Sequence, residues 1–259
     1  MREPLQREAL HEALVTSGSR WTDVDVHHEL GSTNAEAARI ARPFHVVVTD
    51  HQKAGRGRLG RTWETPSGTS VTLSVLLPAP DTGREWMPLA AGLAVRDAVR
   101  DVAGLEAALK WPNDVLLPAD GERKVGGILC ELQPGGVVVG IGVNVHQERD
   151  ELPVDTATSL RLAGAPDVHR EDLVVAILTH LARWHADLCD GPQARAGVHS
   201  AYRAACLTIG RDVELHVGAG DVRRVRATGV DEEGRLVVAG GGTEYPVAAG
   251  DVVHVRPAG

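Results

Sequence analysis

Apolar positions recur along the chain with two different periods, and the switches between them mark out its elements. Leu5, Ala9, Leu10, Ala13 and Leu14 share one side of a helical wheel, which predicts a short amphipathic helix over residues 5–16. Val24–His28 reads as a short strand. Thr33-Asn34-Ala35-Glu36 has the spacing of a capping box and opens a helix to about Ala41. The β-branched run Phe44–Thr49 has the texture of a buried strand, and Ser70–Leu77 alternates well enough for another. A Gly- and Arg-rich loop lies between them. Trp86–Val102 carries Leu89, Ala90, Leu93, Ala94 and Ala98 at helical spacing. Ala107–Trp111, Lys124–Leu132 and Val137–Val145 read as strands, the last two joined by a Gln133-Pro134-Gly135-Gly136 turn. Leu173–Leu188 and Gln193–Cys206 are helical.

After Gly210 the texture changes to short strands separated by turn residues: Val213–Val217, Arg223–Val230, Leu236–Ala239, Glu244–Val247 and Val252–Val255. That tail has the size of a small all-β barrel, so the chain divides into residues 1–207 and 208–259. Composition changes this picture little. The 259 residues carry 27 basic and 35 acidic side chains, a net charge of −8 that argues against a general nucleic-acid binder. No apolar run approaches the roughly 18–20 residues of a membrane helix, and Met1–Leu14 lacks the apolar core of a signal peptide. Cys130, Cys189 and Cys206 show neither metal nor redox spacing and read as reduced thiols of a cytoplasmic protein. The histidines, His27-His28 and His180/His185 included, lack metal-ligand spacing.

Four segments carry candidate chemistry. Gly55 to Gly60 satisfies G-x-G-x-x-G, yet no helix follows to receive a pyrophosphate, so a dinucleotide fold is set aside. Lys53, Arg56, Arg58 and Arg61 on the same loop suggest a mobile anion clamp, with Trp63 able to stack on a purine; the bland alternative is a solvated basic loop. In Lys110-Trp111-Pro112-Asn113-Asp114, Pro112 stops a strand. Asp114 beside Asn113 could hold Mg²⁺ or accept a proton, or the segment could be an Asx turn. Lys124 enters an apolar strand beside Gly126 and Gly127, where a phosphate or carboxylate would be a fitting partner. Gly140-x-Gly142-x-Asn144 leaves room for a flat ligand and one amide to read it.

Taken in order, Gly31-Ser32-Thr33-Asn34, Gly55-Arg56-Gly57-Arg58-x-Gly60-Arg61-x-Trp63, Lys110–Asp114, Lys124-x-Gly126-Gly127-Ile128-Leu129 and Gly140-x-Gly142-x-Asn144 resemble the biotin–protein ligase family, over about Val24 to Arg256. The resemblance implies an α+β fold: a catalytic domain like the class II aminoacyl-tRNA synthetase core, a mixed sheet with helices, and an SH3-like C-terminal barrel. It implies ATP, biotin and Mg²⁺ as ligands, and biotinyl-5'-AMP as intermediate. Biotin would meet Ser32, Thr33, Asn34, Gln52, Gly127 and the Gly55-Arg56-Gly57-Arg58 backbone. Arg58 and Lys124 would meet its carboxylate and the α-phosphate. Arg61 would bind phosphate, Trp63 would pack on adenine, and Asn113 and Asn144 would complete the nucleotide site. Asp114 would position metal or deprotonate the accepting lysine, so Arg58, Lys124 and Asp114 are the expected catalytic residues. The loop would order as ligands bind.

The implied partner is the biotin carboxyl carrier domain of an acyl-CoA carboxylase. Some family members carry a DNA-binding winged helix ahead of the core; too few residues precede Val24 here, so no DNA partner is expected, nor a membrane. The chain is expected as a monomer or weak homodimer. The rival readings are a lipoate–protein ligase, which shares the acyl-adenylate logic, and a non-catalytic biotin-binding regulator.

Overall fold

A computed structural model describes residues 3–217, 221–247 and 251–254. Its elements run α1 (Arg7–Leu14), β1 (Asp23–Leu30), α2 (Thr33–Ile40), β2 (His45–Gln52), β3 (Gly55–Arg56), β4 (Thr62–Trp63), β5 (Ser70–Leu77), α3 (Met87–Ala103), β6 (Ala108–Lys110), β7 (Asp114–Leu117), β8 (Arg123–Gln133), β9 (Gly136–Asn144), α4 (Arg170–Cys189), α5 (Gly191–Ala205), β10 (Asp212–Val217), β11 (Asp221–Val230), β12 (Leu236–Gly240), β13 (Thr243–Val247) and β14 (Asp251–His254). The expected strand end at Val255 lies outside the described residues.

The first nine strands, less the β3–β4 pair, form a seven-stranded sheet in the order β1-β2-β5-β9-β8-β7-β6. Only β1 and β2 run parallel, connected by α2; every other neighbour is antiparallel. The period-2 alternation of side chains sorts the valines between the two faces. Val46, Val48, Val75 and Val139 enter the main core with α3 and α4, whereas Val47, Leu76 and Val138 pack beneath Ala37 of α2. The small α2 covers only part of its face and leaves the remainder open for a site.

The C-terminal strands make a five-stranded antiparallel sheet, β13-β12-β11-β10-β14. Its core is continuous with the main one. The Trp86 and Trp111 indole N–H groups donate to the Glu232 and Gly234 carbonyls at 2.8 and 3.0 Å, pinning the turn before β12 to the larger sheet. Among the described residues no helix is long and apolar enough to cross a membrane.

Three expectations need correcting. The helix after Gly31 is capped by Ser32, whose hydroxyl accepts the Ala35 N–H at 3.4 Å, so Thr33 is its first helical residue rather than the cap. Asp114 does not hang at a bare strand end: it starts β7, paired with Lys110 across a turn that contains Pro112. The Gly/Arg segment is a hairpin, with Gly55 opposite Trp63 and Arg56 opposite Thr62.

Candidate functional site

The open part of the α2 face is a cavity of about 110 Å³ between the N-terminus of α2, the β3–β4 hairpin and the sheet. Its floor follows from the ladder register. Gly127 pairs with Gly142 and Leu129 with Gly140 on β8 and β9, while β5 sets Thr72 and Ser74 beside the two β9 glycines. A β-carbon on Gly140 would come within 2.9 Å of the Asn34 amide carbon, and one on Gly142 within 2.5 Å of the Trp63 indole. Neither glycine has positive φ, so both serve close approach rather than an unusual backbone.

One end of the cavity is a hydrogen-bonding array of amides and hydroxyls with one carboxylate behind it. The Thr33 N–H and hydroxyl donate to Gln52 Oε1 at 2.9 and 3.1 Å. Gln52 Nε2 donates to the Trp63 carbonyl at 3.4 Å. The buried Ser74 hydroxyl lies 2.7 Å from Thr33 Oγ1 and 2.6 Å from Asn34 Oδ1. The Asn34 amide nitrogen donates to Glu131 at 2.6 Å. Every side chain here is held by another, which fixes a donor–acceptor pattern instead of leaving it to solvent.

The other end is charged. Lys124 Nζ sits 2.5 Å from Asp114 Oδ1 and 5.7 Å from the Trp63 ring centre. Arg58 and Arg61 line the same wall. Asn113 donates to the Ile128 carbonyl at 3.0 Å and locks the β6–β7 turn against β8. The cavity thus offers a buried amide and hydroxyl array backed by the Glu131 carboxylate, beside converging cations and the Asp114 carboxylate.

Of the expected site residues, Ser32, Thr33, Asn34, Gln52, Arg56, Gly57, Arg58, Arg61, Trp63, Asn113, Asp114, Lys124 and Gly127 line this one cavity. Gly55 lies just behind, closed off by Gln52 and the Trp63 carbonyl. Asn144 stands outside the wall; its amide donates to the Thr158 carbonyl at 2.9 Å and accepts from Gln147 at 3.0 Å. Lys53 leaves the expected clamp: it pairs with Glu29 at 2.6 Å, and that hydrogen bond holds the Glu29 carboxyl below its ordinary range. Thr62, Thr72, Ser74 and Glu131 were missed. Their only sequence signal is that Thr72/Ser74 and Gly127/Leu129/Glu131 alternate on strands.

Cys130 lies on β8, where burial pushes its thiol up to about 12 and removes it as a nucleophile. Among the described residues the cysteines are free. One group, Asp23, Asp25 and His45, brings metal-ligating atoms within 4.8 Å of one another. It lies outside the cavity, and cross-strand pairing accounts for it: His45 Nε2 is 2.8 Å from Asp25, and Asp23 takes Arg7 and the Val24 N–H.

Residues 34–148 match the profile of the Biotin/lipoate A/B protein ligase family, and residues 208–255 that of the Biotin protein ligase C terminal domain. The chain is 38% identical to the biotin–[acetyl-CoA-carboxylase] ligase of Mycobacterium tuberculosis, over 99% of this chain and 98% of that protein. It is 32% identical to the bifunctional ligase/repressor BirA of Bacillus subtilis, over 82% of this chain and 64% of that one. Among solved structures it resembles the biotin protein ligase of Aquifex aeolicus in complex with biotin and ATP, with TM-score 0.78 and 26% identity, covering 91% of this chain and 100% of that one.

Proposed function

The chain belongs to the biotin protein ligase family, and we propose that its cavity performs both half-reactions of such an enzyme: activation of biotin by ATP to biotinyl-5'-AMP, then transfer to a carrier lysine. The observation that carries this reading is the joining, in one cavity, of the Thr33/Gln52/Asn34 array with Arg58, Arg61 and Lys124. A ureido ring both donates and accepts, so it suits fixed amides and hydroxyls. A carboxylate and an α-phosphate repel each other, so they meet only where cations converge.

In the first step a biotin carboxylate oxygen attacks the α-phosphorus and the bond to pyrophosphate breaks. Arg58 and Lys124 neutralise the two anions and the charge gathering on phosphorus, and Arg61 holds the departing phosphates. Trp63 offers its indole face to adenine. Asp114 and Asn113 form an oxygen-donor pair that fits Mg²⁺ carried by the phosphates; when bound, the ion would supply further charge neutralisation. In the second step the carrier amine attacks the acyl carbon, the acyl–oxygen bond breaks and AMP departs. Asp114, on the same wall, takes the proton. Asn144 would serve adenine through the hydrogen-bonding capacity left by Thr158 and Gln147.

The reading includes a biotin carboxyl carrier domain of an acyl-CoA carboxylase as partner, following the name of the Mycobacterium relative, and a cytoplasmic setting. It also includes a class II synthetase-like core over residues 1–207 and an SH3-like unit over 208–259, supported by the second profile match and the five antiparallel strands. Incubation with ATP, Mg²⁺, apo carrier domain and labelled biotin or lipoate tests the reading. Biotin label on the carrier, with AMP and pyrophosphate released, is expected. Transfer from lipoate alone would overturn it.

A further inference from the structure

Glu131 belongs to none of the roles above, yet it joins the three walls of the cavity. It shares the Gly127/Leu129 face of β8, two pairs beyond Leu129–Gly140, opposite Val138. One carboxylate oxygen accepts the Asn34 amide N–H at 2.6 Å; the other lies 3.0 Å from the Arg56 guanidinium on the β3–β4 hairpin. Asn34 stands in the first turn of α2 and touches Ser74 on β5 with its amide oxygen. A single side chain thus ties helix, sheet and hairpin together.

The hairpin has other ties as well: the Trp63 ring lies 5.7 Å from the Lys124 ammonium and faces Gly142 on the floor. Gly57 N–H donates to the Arg61 carbonyl at 2.6 Å within the hairpin itself, and Gln52 reaches the Trp63 carbonyl at a long 3.4 Å. At about 110 Å³ the cavity is also smaller than the roughly 300–1,000 Å³ of ordinary ligand sites. A ligand of adenylate size therefore needs the hairpin to move out and return. A hinged cover needs a contact that makes and breaks. A half-exposed arginine on a carboxylate suits this, being worth too little to lock the cover permanently.

We propose that Glu131 is the latch of this cover: a positioning residue that couples the pose of Asn34 to closure of the β3–β4 hairpin through Arg56, and so retains the reactive adenylate. The idea rests on the ligase reading. The reaction it would suppress is attack of water on the acyl carbon, with the acyl–oxygen bond breaking to give biotin and AMP. Glu131 contacts no reacting atom in this account.

Glu131→Gln keeps an acceptor for Asn34 but removes the charge that holds Arg56. In the variant, release of AMP from biotin and ATP without carrier protein is expected to rise about three- to fivefold, while single-turnover pyrophosphate release stays within twofold of wild type. Backbone hydrogen exchange at Gly55–Trp63, measured with saturating biotin, should quicken by a similar factor. Arg56→Ala should reproduce that exchange, and Glu131→Gln/Arg56→Ala should add nothing to it. Additive exchange effects, or unchanged exchange and unchanged AMP leakage in Glu131→Gln, would overturn the latch. Absence of adenylate formation by the wild-type protein would instead strike the ligase reading, and the exchange comparison would still decide the latch.

Discussion

Gly142→Ala is the sharpest perturbation the geometry offers, because one methyl group meets one side chain. The new β-carbon would sit 2.5, 2.6 and 2.7 Å from Cε2, Nε1 and Cζ2 of Trp63. Comfortable carbon contacts begin near 3.5 Å, so the indole must retreat by roughly 1 Å. Gly142 lies in the central strand β9 with ordinary strand geometry, and backbone entropy alone would favour alanine there. The steric effect therefore stands against a small opposing gain. If Trp63 stays, overpacking costs about 1–3 kcal/mol. If it yields, the hairpin moves with it, and a displacement of roughly 1 Å at a reacting site costs about 100-fold in rate. Urea denaturation and single-turnover pyrophosphate release, taken together, catch either outcome. The control is a double-mutant cycle: with Trp63→Ala the obstruction is gone, so Gly142→Ala should become neutral or slightly stabilising. A cost equal in both backgrounds to within about 0.3 kcal/mol would refute the reasoning.

Lys124→Ala should lower adenylate formation by about 100- to 1,000-fold, the usual scale for one charge-stabilising donor, with stability little changed; a loss under fivefold in pyrophosphate release would remove Lys124 from the chemistry. Asp50 and Arg170, each about 4% exposed and 2.8 Å apart, make a buried ion pair that ties β2 to α4. Asp50→Ala should cost about 3–5 kcal/mol in urea denaturation, with much of it recovered in Asp50→Ala/Arg170→Met; a loss below 1 kcal/mol would contradict that. Acid should loosen the contact between the two sheets. Burial, then Lys110 and Arg211, hold His254 down to about 4, and burial also lowers His185 and His199. These groups are neutral in the fold but gain a proton near their ordinary value once unfolded, so stability is full above about pH 6.5 and falls as pH drops toward 4. For His254 alone the limit is about 3 kcal/mol. Thermal melts flat between pH 7 and 5 would disprove it.

The chain's own pattern determined most of the strands and helices and which face each presents. Val46/Val48 against Val47 reads directly as two buried faces, and the glycines at 127, 140 and 142 announce a floor that something must approach. The ordered Gly/Arg, Lys-Trp-Pro-Asn-Asp and Lys-x-Gly-Gly motifs pointed to the site, because its residues are unusual types for their local settings. Strand β7 escaped notice because Asp114–Leu117 is too short for alternation to stand out from the turn before it.

Only the tertiary structure decided who meets whom. A period-2 pattern assigns a face but not a neighbour: the local turn at Gln133–Gly136 pairs β9 with β8, yet nothing local set β5 on its other side. A charge in a sequence does not name its partner, because long side chains reach whatever the fold brings near. Lys53 could have joined the cation cluster but found Glu29; Glu131, a plain strand residue, found Asn34 and Arg56 from distant segments. Such contacts depend on summed geometry over many elements, and no window of sequence contains that sum.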